Sequence, residues 1–153
     1  MANTYSRTYV HCVFAVKGRE YNLHSSFRQR VFEYMSAVLK NDGVYPLAIG
    51  GWKDHVHIFF DLPTTRTISD IVRNVKAVTS KWINEQGFLK GKFSWQEGYG
   101  SFSHSFAEKG RVIEYIRNQE MHHAKTSFKE EYISFLKDYD ISFDERYLFD
   151  FDT

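Results

Sequence analysis

The sequence predicts an α+β fold: a ferredoxin-like antiparallel sheet with helices on one face, plus an added C-terminal helix that carries Tyr115. Three observations predict it. Stretches of strand and helix patterning follow one another as β-α-β-β-α-β, and further helices come after. The 153 residues suit one compact domain, and a hydrophobic share of 42% is enough to build a core. No repeat, linker or low-complexity segment divides the chain, so 1–153 reads as a single domain, with 139–153 as a docked acidic tail.

Residues 5–17 are rich in β-branched and aromatic side chains and read as a first strand, buried on both faces towards its end. His11 within it reads as a core histidine or as a partner behind a ligand. Gly18, Arg19 and Glu20 break the strand. His24-Ser25-Ser26 offers an N-cap, and Phe27, Val31, Tyr34, Met35, Val38 and Leu39 follow at helical spacing until Asn41-Asp42-Gly43. Val44 to Ile49 is a second strand, and Gly50-Gly51 a tight connection. Trp52 to Leu62 is a third strand, stopped by Pro63. Thr67 or Ser69 caps a second helix with Ile71, Val72, Val75, Trp82 and Ile83 on one face, and Gly87 closes it. Phe93 to Ser105 reads as one more strand, bent or bulged at its glycines. Ser105 caps a third helix from about Glu108 to His122, and a short fourth helix runs from about Ser127 to Asp138.

The net charge of +1 is unevenly placed. From Asp138 onward there are six acids and one base, which leaves residues 1–137 at +6. A basic body with an acidic tail is compatible with a polyanionic partner. On the second helix, Arg73, Lys76 and Lys81 fall largely on the polar side, where they are candidates for phosphate contact or simply a solvated face. The single cysteine, Cys12, excludes an intramolecular disulfide, fits a reducing compartment, and reads as a small buried hydrophobe. No long apolar segment and no signal-peptide pattern is visible, so the expectation is a cytoplasmic protein without a membrane anchor.

The stretch with chemical content is Asp54-His55-Val56-His57. On a strand, His55 and His57 project to the same face, about 7 Å apart. Two such imidazoles can share a divalent cation if a third ligand arrives from elsewhere, although a packed core pair is the commoner outcome. The third helix supplies Tyr115 and Gln119, four residues apart and so on one helix face. Tyr115 offers a phenol oxygen and Gln119 a neutral amide oxygen. His122 and His123 sit at the helix end pointing apart, which suits a helix C-terminus or a DNA contact better than metal binding.

Along most of its length the chain resembles the single-tyrosine HUH transposases of small bacterial insertion sequences and their palindrome-associated relatives. The resemblance rests on His11-Cys12-Val13-Phe14 with Lys17 and Arg19, and on Trp52 with His55-Val56-His57. It continues through Trp95-Gln96-Glu97-Gly98-Tyr99-Gly100-Ser101-Phe102-Ser103, Tyr115-Ile116-Arg117-Asn118-Gln119 with His122-His123, and Phe128, Glu131 and Asp144-Glu145-Arg146-Tyr147-Leu148. His104 departs from the pattern, which has a small apolar residue there.

The resemblance implies that Tyr115 is the nucleophile and that His55, His57 and Gln119 hold one Mg²⁺ or Mn²⁺. It implies a substrate of single-stranded DNA hairpins at element ends, a covalent 5′-phosphotyrosine, and a homodimer. Arg73, Lys76, Lys81 and Arg117 are the candidate DNA contacts. Two other readings stay open on the residues alone. One is a non-catalytic single-stranded nucleic-acid-binding module of the same fold, a degenerate transposase included. The other is a metal-dependent hydrolase using His55, His57 and a carboxylate such as Asp61.

Overall fold

The computed structural model describes residues 3–18 and 23–151. Arg19 and Glu20, expected to break the first strand, and Asp152 of the acidic tail lie outside the described residues.

The strands β1 (Tyr9–Ala15), β2 (Tyr45–Gly51), β3 (His55–Asp61) and β4 (Gly100–His104) form one antiparallel sheet in the order β2-β3-β1-β4. Between them run α1 (Arg28–Asn41) and α2 (Ile68–Gln86). This is the expected ferredoxin-like arrangement. Three helices follow: α3 (Lys109–Arg117), α4 (Gln119–His123) and α5 (Phe128–Asp138). No described helix is long and apolar enough to cross a membrane.

The two-residue period of a strand divides the sheet into two faces. The register sets Cys12 opposite Ile58 and Phe14 opposite Val56 on one face. Phe14 meets Trp95 there with ring centroids 4.9 Å apart, and Lys76 of α2 lies over its ring. This face is covered by α1 and α2, which are joined by the stacked rings of Tyr34 and Trp82, 4.2 Å apart. The other face carries Tyr9, His11 and Val13 beside His57 and Phe59. Val112 and Ile116 of α3 pack on it, and Phe135 of α5 lies edge-on to His11 and His57. With helices on both sides, every residue of β1 is buried, as its unbroken apolar run requires.

Local chemistry explains most boundaries. Thr67 caps α2 by accepting the Asp70 N–H, and Gly87 ends it in the left-handed region at φ 68°. Ser127 and Glu130 form a capping box that starts α5. The expected Ser cap of α1 is not made: Phe27 holds the cap position without a side-chain bond. Gly50 and Gly51 end β2 rather than forming a connection. The stretch expected as one long fourth strand is interrupted. Trp95 makes a single bridge to Val16, the chain turns through Gly98 at φ 85°, and pairing resumes at Gly100. After α5, Phe143, Leu148, Phe149 and Phe151 pack against the core, and the Asp150 N–H donates to Gln96.

Candidate functional site

β3 delivers His55 and His57 to the face away from α1 and α2, and both are fully buried. Each ring is held from behind. His55 donates Nδ1–H to the Asp54 carboxylate at 2.8 Å. His57 Nδ1 pairs with His11 Nε2 at 2.7 Å, so His11 stands behind a candidate ligand. Both Nε2 atoms are thereby aimed at a common centre.

α3 brings Tyr115 to that centre, with its ring 5.8 Å from the ring of His57 and perpendicular to it. Gly50 makes the approach possible. It lies opposite His57, and a Cβ there would run into the backbone oxygen of Ile116, the residue after Tyr115. Gly100 plays the same part under α5, where a Cβ would meet the Tyr132 hydroxyl at 2.7 Å.

The single helix expected over 108–122 is broken. Asn118 leaves helical geometry at φ −100° and ψ 27°, and the chain restarts as α4. Asparagine tolerates this because its side chain competes with the backbone for hydrogen bonds. Gln119 opens α4 buried, with Oε1 3.1 Å from His55 Nε2 and 2.9 Å from His123 Nε2. His122 and His123 do not point apart. The turn after α4 takes the His123 Nδ1–H onto the Thr126 carbonyl at 2.7 Å, which leaves Nε2 facing inward, and His122 Nε2 lies 3.4 Å from the Tyr115 hydroxyl.

Glu131 of α5 fills the centre, and sequence reasoning missed it as a functional residue. It is 3% exposed. Its carboxylate accepts from the Tyr115 hydroxyl and lies 3.1 Å from His57 Nε2, 3.3 Å from His55 Nε2 and 3.0 Å from His122 Nε2. A signal was present. Phe128, Tyr132, Phe135 and Leu136 make the apolar stripe of α5, and Glu131 falls on that stripe at three and four residues from its neighbours. A carboxylate there cannot reach water without unpacking the helix.

Burial pushes the Glu131 carboxyl up, but His57 and the other imidazoles outweigh it and hold the group well below the carboxylate range. Burial alone would lower His55; its bonds to Asp54 and Glu131 win and raise it to about 9. Burial lowers both His57 and His11. Burial and the neighbouring Glu131 charge raise the Tyr115 phenol well above its usual range.

The donor set fits a divalent cation. With Nδ1–H given to Asp54, a neutral His55 turns the Nε2 lone pair towards the Gln119 amide oxygen 3.1 Å away. Two acceptors face each other there, and only a proton or a cation between them makes the contact favourable. One ligand atom each from His55, His57, His123 and Glu131 lies within 4.8 Å of the others, a His/Glu cluster able to hold a metal.

The other expected residues are spread out. Arg73, Lys76 and Lys81 belong to α2, which covers the opposite face of the sheet from this cluster. Arg73 pairs with Asp70 at 2.6 Å, and Lys76 donates to the backbone oxygens of Gln96 and Gly98. Lys81 is exposed, as is Arg117 at the end of α3 on the cluster side. Asp61 is at the far end of β3, roughly 13 Å along the strand from His57, and its carboxylate accepts the Thr8 N–H. The rim of the cluster is aromatic and basic: Trp52 stacks on His123, with Arg28 and Lys53 against its ring.

The sequence model of the family described as "Transposase IS200 like" matches residues 4–119. Among curated proteins nothing matches. A crystal structure of a protein from Deinococcus radiodurans, assigned as a transposase, is similar at a TM-score of 0.63 and 20% identity, over 76% of this chain and 94% of that one. A REP-associated tyrosine transposase bound to a REP hairpin is similar at a TM-score of 0.60 and 16% identity, over 81% of this chain and 73% of that one.

Proposed function

The chain belongs to the IS200-like transposase family, and on that premise we propose that it cuts and reseals single-stranded DNA through a covalent link to Tyr115. One observation carries the reading: within a single subunit the Tyr115 hydroxyl, the His55 and His57 imidazoles and the Gln119 amide meet in one cluster. The Tyr115 oxygen attacks the scissile phosphorus. An Oη–P bond forms and the bond from phosphorus to the 3′-oxygen breaks. The phenol proton leaves to water, the 3′-oxygen takes one up, and a 5′-phosphotyrosine and a free 3′-hydroxyl result. A phenol, with a reference pKa of about 10, leaves more readily than an alcohol, so a 3′-hydroxyl can reseal the strand without a nucleotide cofactor.

His55, His57 and Gln119 would hold Mg²⁺ or Mn²⁺, which would supply positive charge to offset that of the phosphate and help to position it. Asp54 and His11 keep the two imidazoles turned to that task. The substrate is a DNA hairpin at the end of a mobile element, as the hairpin bound by the REP-associated relative suggests. Trp52, with Arg28 and Lys53, offers a stacking and phosphate surface at the rim, and exposed Arg117 lies two residues from Tyr115. With one nucleophile per subunit, exchange of two ends calls for a homodimer.

The test is a labelled hairpin oligonucleotide incubated with Mn²⁺ and resolved on a denaturing gel. Wild-type protein should retain the label as a covalent adduct, and Tyr115→Phe should abolish the adduct while hairpin binding persists. An adduct undiminished in Tyr115→Phe overturns the choice of nucleophile. Cut DNA with no adduct indicates a hydrolase, and hairpin binding with no cut indicates a non-catalytic module.

A further inference from the structure

Glu131 lies beyond the residues that the family model matches, yet its carboxylate occupies the middle of the cluster. Its two oxygens have different neighbours. Oε1 is 3.1 Å from His57 Nε2, 3.3 Å from His55 Nε2 and 3.5 Å from His123 Nε2. Oε2 accepts the Tyr115 hydroxyl and the Gln119 amide N–H, the latter at 3.3 Å, and lies 3.0 Å from His122 Nε2. Oε1 is turned to His55, His57 and His123, and Oε2 to the phenol and the His122 ring beside it.

The protons on the imidazole side can be counted. His55 gives its Nδ1–H to Asp54, and His123 gives its own to the Thr126 carbonyl. In the neutral forms both Nε2 atoms therefore carry lone pairs. They face Gln119 Oε1 and Glu131 Oε1, which are acceptors too, at separations from 2.9 to 3.5 Å. Four acceptors pointing at one another repel unless positive charge sits among them, either the proton that Asp54 and Glu131 favour on His55 or a metal cation in its place. Neighbouring donors on one ion with bonds of 2.0–2.2 Å stand roughly 3.0–3.4 Å apart, which is the spacing seen. The outer nitrogens are tied to a carboxylate and a carbonyl, as those of metal-bound histidines usually are. A carboxylate also supplies what imidazoles and an amide lack, a hard anionic oxygen for Mg²⁺ or Mn²⁺.

We propose that Glu131 is the anionic ligand of the divalent cation at this site, and that in taking this role its carboxylate gives up the Tyr115 hydroxyl, so that cation binding frees the nucleophile. The proposal rests on the tyrosine transposase reading and deepens it. A phenol whose hydrogen bond runs to a buried carboxylate is committed to that partner. A cation among the imidazoles draws the carboxylate charge to itself and weakens the phenol's hold. Cation and phenol thus compete for one group, and removing either should help the other.

Mn²⁺ affinity is measured by calorimetry on the full chain without DNA. Glu131→Gln should weaken binding by at least about 10-fold, whereas Tyr115→Phe should bind several-fold more tightly than wild type. Unchanged affinity in a folded Glu131→Gln protein overturns the proposal. A second measurement uses wild-type sequence labelled with 3-fluorotyrosine. The fluorine signal of Tyr115, identified by its loss in Tyr115→Phe, should shift when Mg²⁺ is added, and a signal unmoved at saturating Mg²⁺ overturns the proposal even if Glu131→Gln does not fold. The hairpin adduct separates the two levels. Adduct formation by wild type with unaltered cation binding in Glu131→Gln defeats the role of Glu131 alone. Absence of any adduct defeats the transposase chemistry, and absence of cation binding by wild type defeats both uses of the metal.

Discussion

The two faces of the central sheet are built from alternate residues of the same strands, and they differ in kind. On β3, Val56, Ile58 and Phe60 face α1 and α2, while His55 and His57 face the helices that follow β4; all five are fully buried. The first face is apolar, and each such side chain contributes roughly 1.5–3 kcal/mol on burial. The second face desolvates imidazoles, an amide and a carboxylate, an arrangement that adds little net stability even when every group is paired. Among the described residues the buried side-chain atoms without a partner are Thr79 Oγ1 and His104 Nε2, and neither belongs to the cluster. Stability and chemistry are thus separated by the two-residue period of a strand. One face needs no function to explain it; on the other, packing accounts for Tyr9, Phe59, Val112 and Ile116, but not for the imidazoles, amide and carboxylate beside them.

Breaking each face in turn gives the largest effects. His57→Ala should remove the hairpin adduct from detection while costing about 1–3 kcal/mol of stability, the penalty for stranding the His11 nitrogen and a bond to Glu131. Phe60→Ala should do the reverse. It should cost about 3–5 kcal/mol in a urea titration and leave the adduct rate of the folded fraction unchanged. A folded Phe60→Ala protein without activity would show that the faces are not separable. Gly50→Ala probes where they meet. The new Cβ would push Ile116, and Tyr115 with it, off the sheet. The adduct rate should fall about 100-fold, with a stability loss of about 1–3 kcal/mol. Gly110→Ala in the same helix meets nothing within 4 Å and serves as the control with an unchanged rate.

Much of this contrast was legible in the sequence, because strand and helix periods are local. The parity of His55 and His57 against Val56 and Ile58 follows from spacing alone, and Tyr115 and Gln119 do meet at the site, although the break at Asn118 puts them on two helices rather than on one face of a single helix. What escaped depends on tertiary geometry. Gly50 looked like a turn residue, but its bareness answers to the helix that crosses it much later in the chain. His122 and His123 looked divergent, because nothing local says that α4 turns back into α5 and makes a concave wall. Glu131 was masked by Glu130 and the capping box, which make an acid pair look like ordinary helix-start chemistry. The bases of α2 gave the polar side of a helix correctly, but periodicity does not say which face of the sheet a helix covers. Phe93 to Ser105 carried strand composition throughout, and only the turn at Gly98 divides it.

The smallest expected effect tests whether the apolar face is as dry as it looks. Cys12 sits opposite Ile58 on that face, fully buried, and burial pushes its thiol up to about 12. A thiol raised in the folded chain is neutral in both states at neutral pH and affects stability there not at all. As pH climbs past about 8.5, the unfolded chain ionises its thiol and the folded chain does not, so stability falls by an amount approaching 1.4 kcal/mol per pH unit. The useful window closes near pH 10, where unfolded tyrosines join in; Tyr132, also raised to about 12 by burial, is one of them. His55, raised to about 9, makes urea midpoints decline from pH 7.5 to 8.5 in both proteins, so Cys12 is read between pH 8.5 and 9.5, where wild type should fall more steeply than Cys12→Ala. A decline of equal slope in Cys12→Ala would trace the titration to some other group, and the imidazole-bearing face would be the first place to look for it.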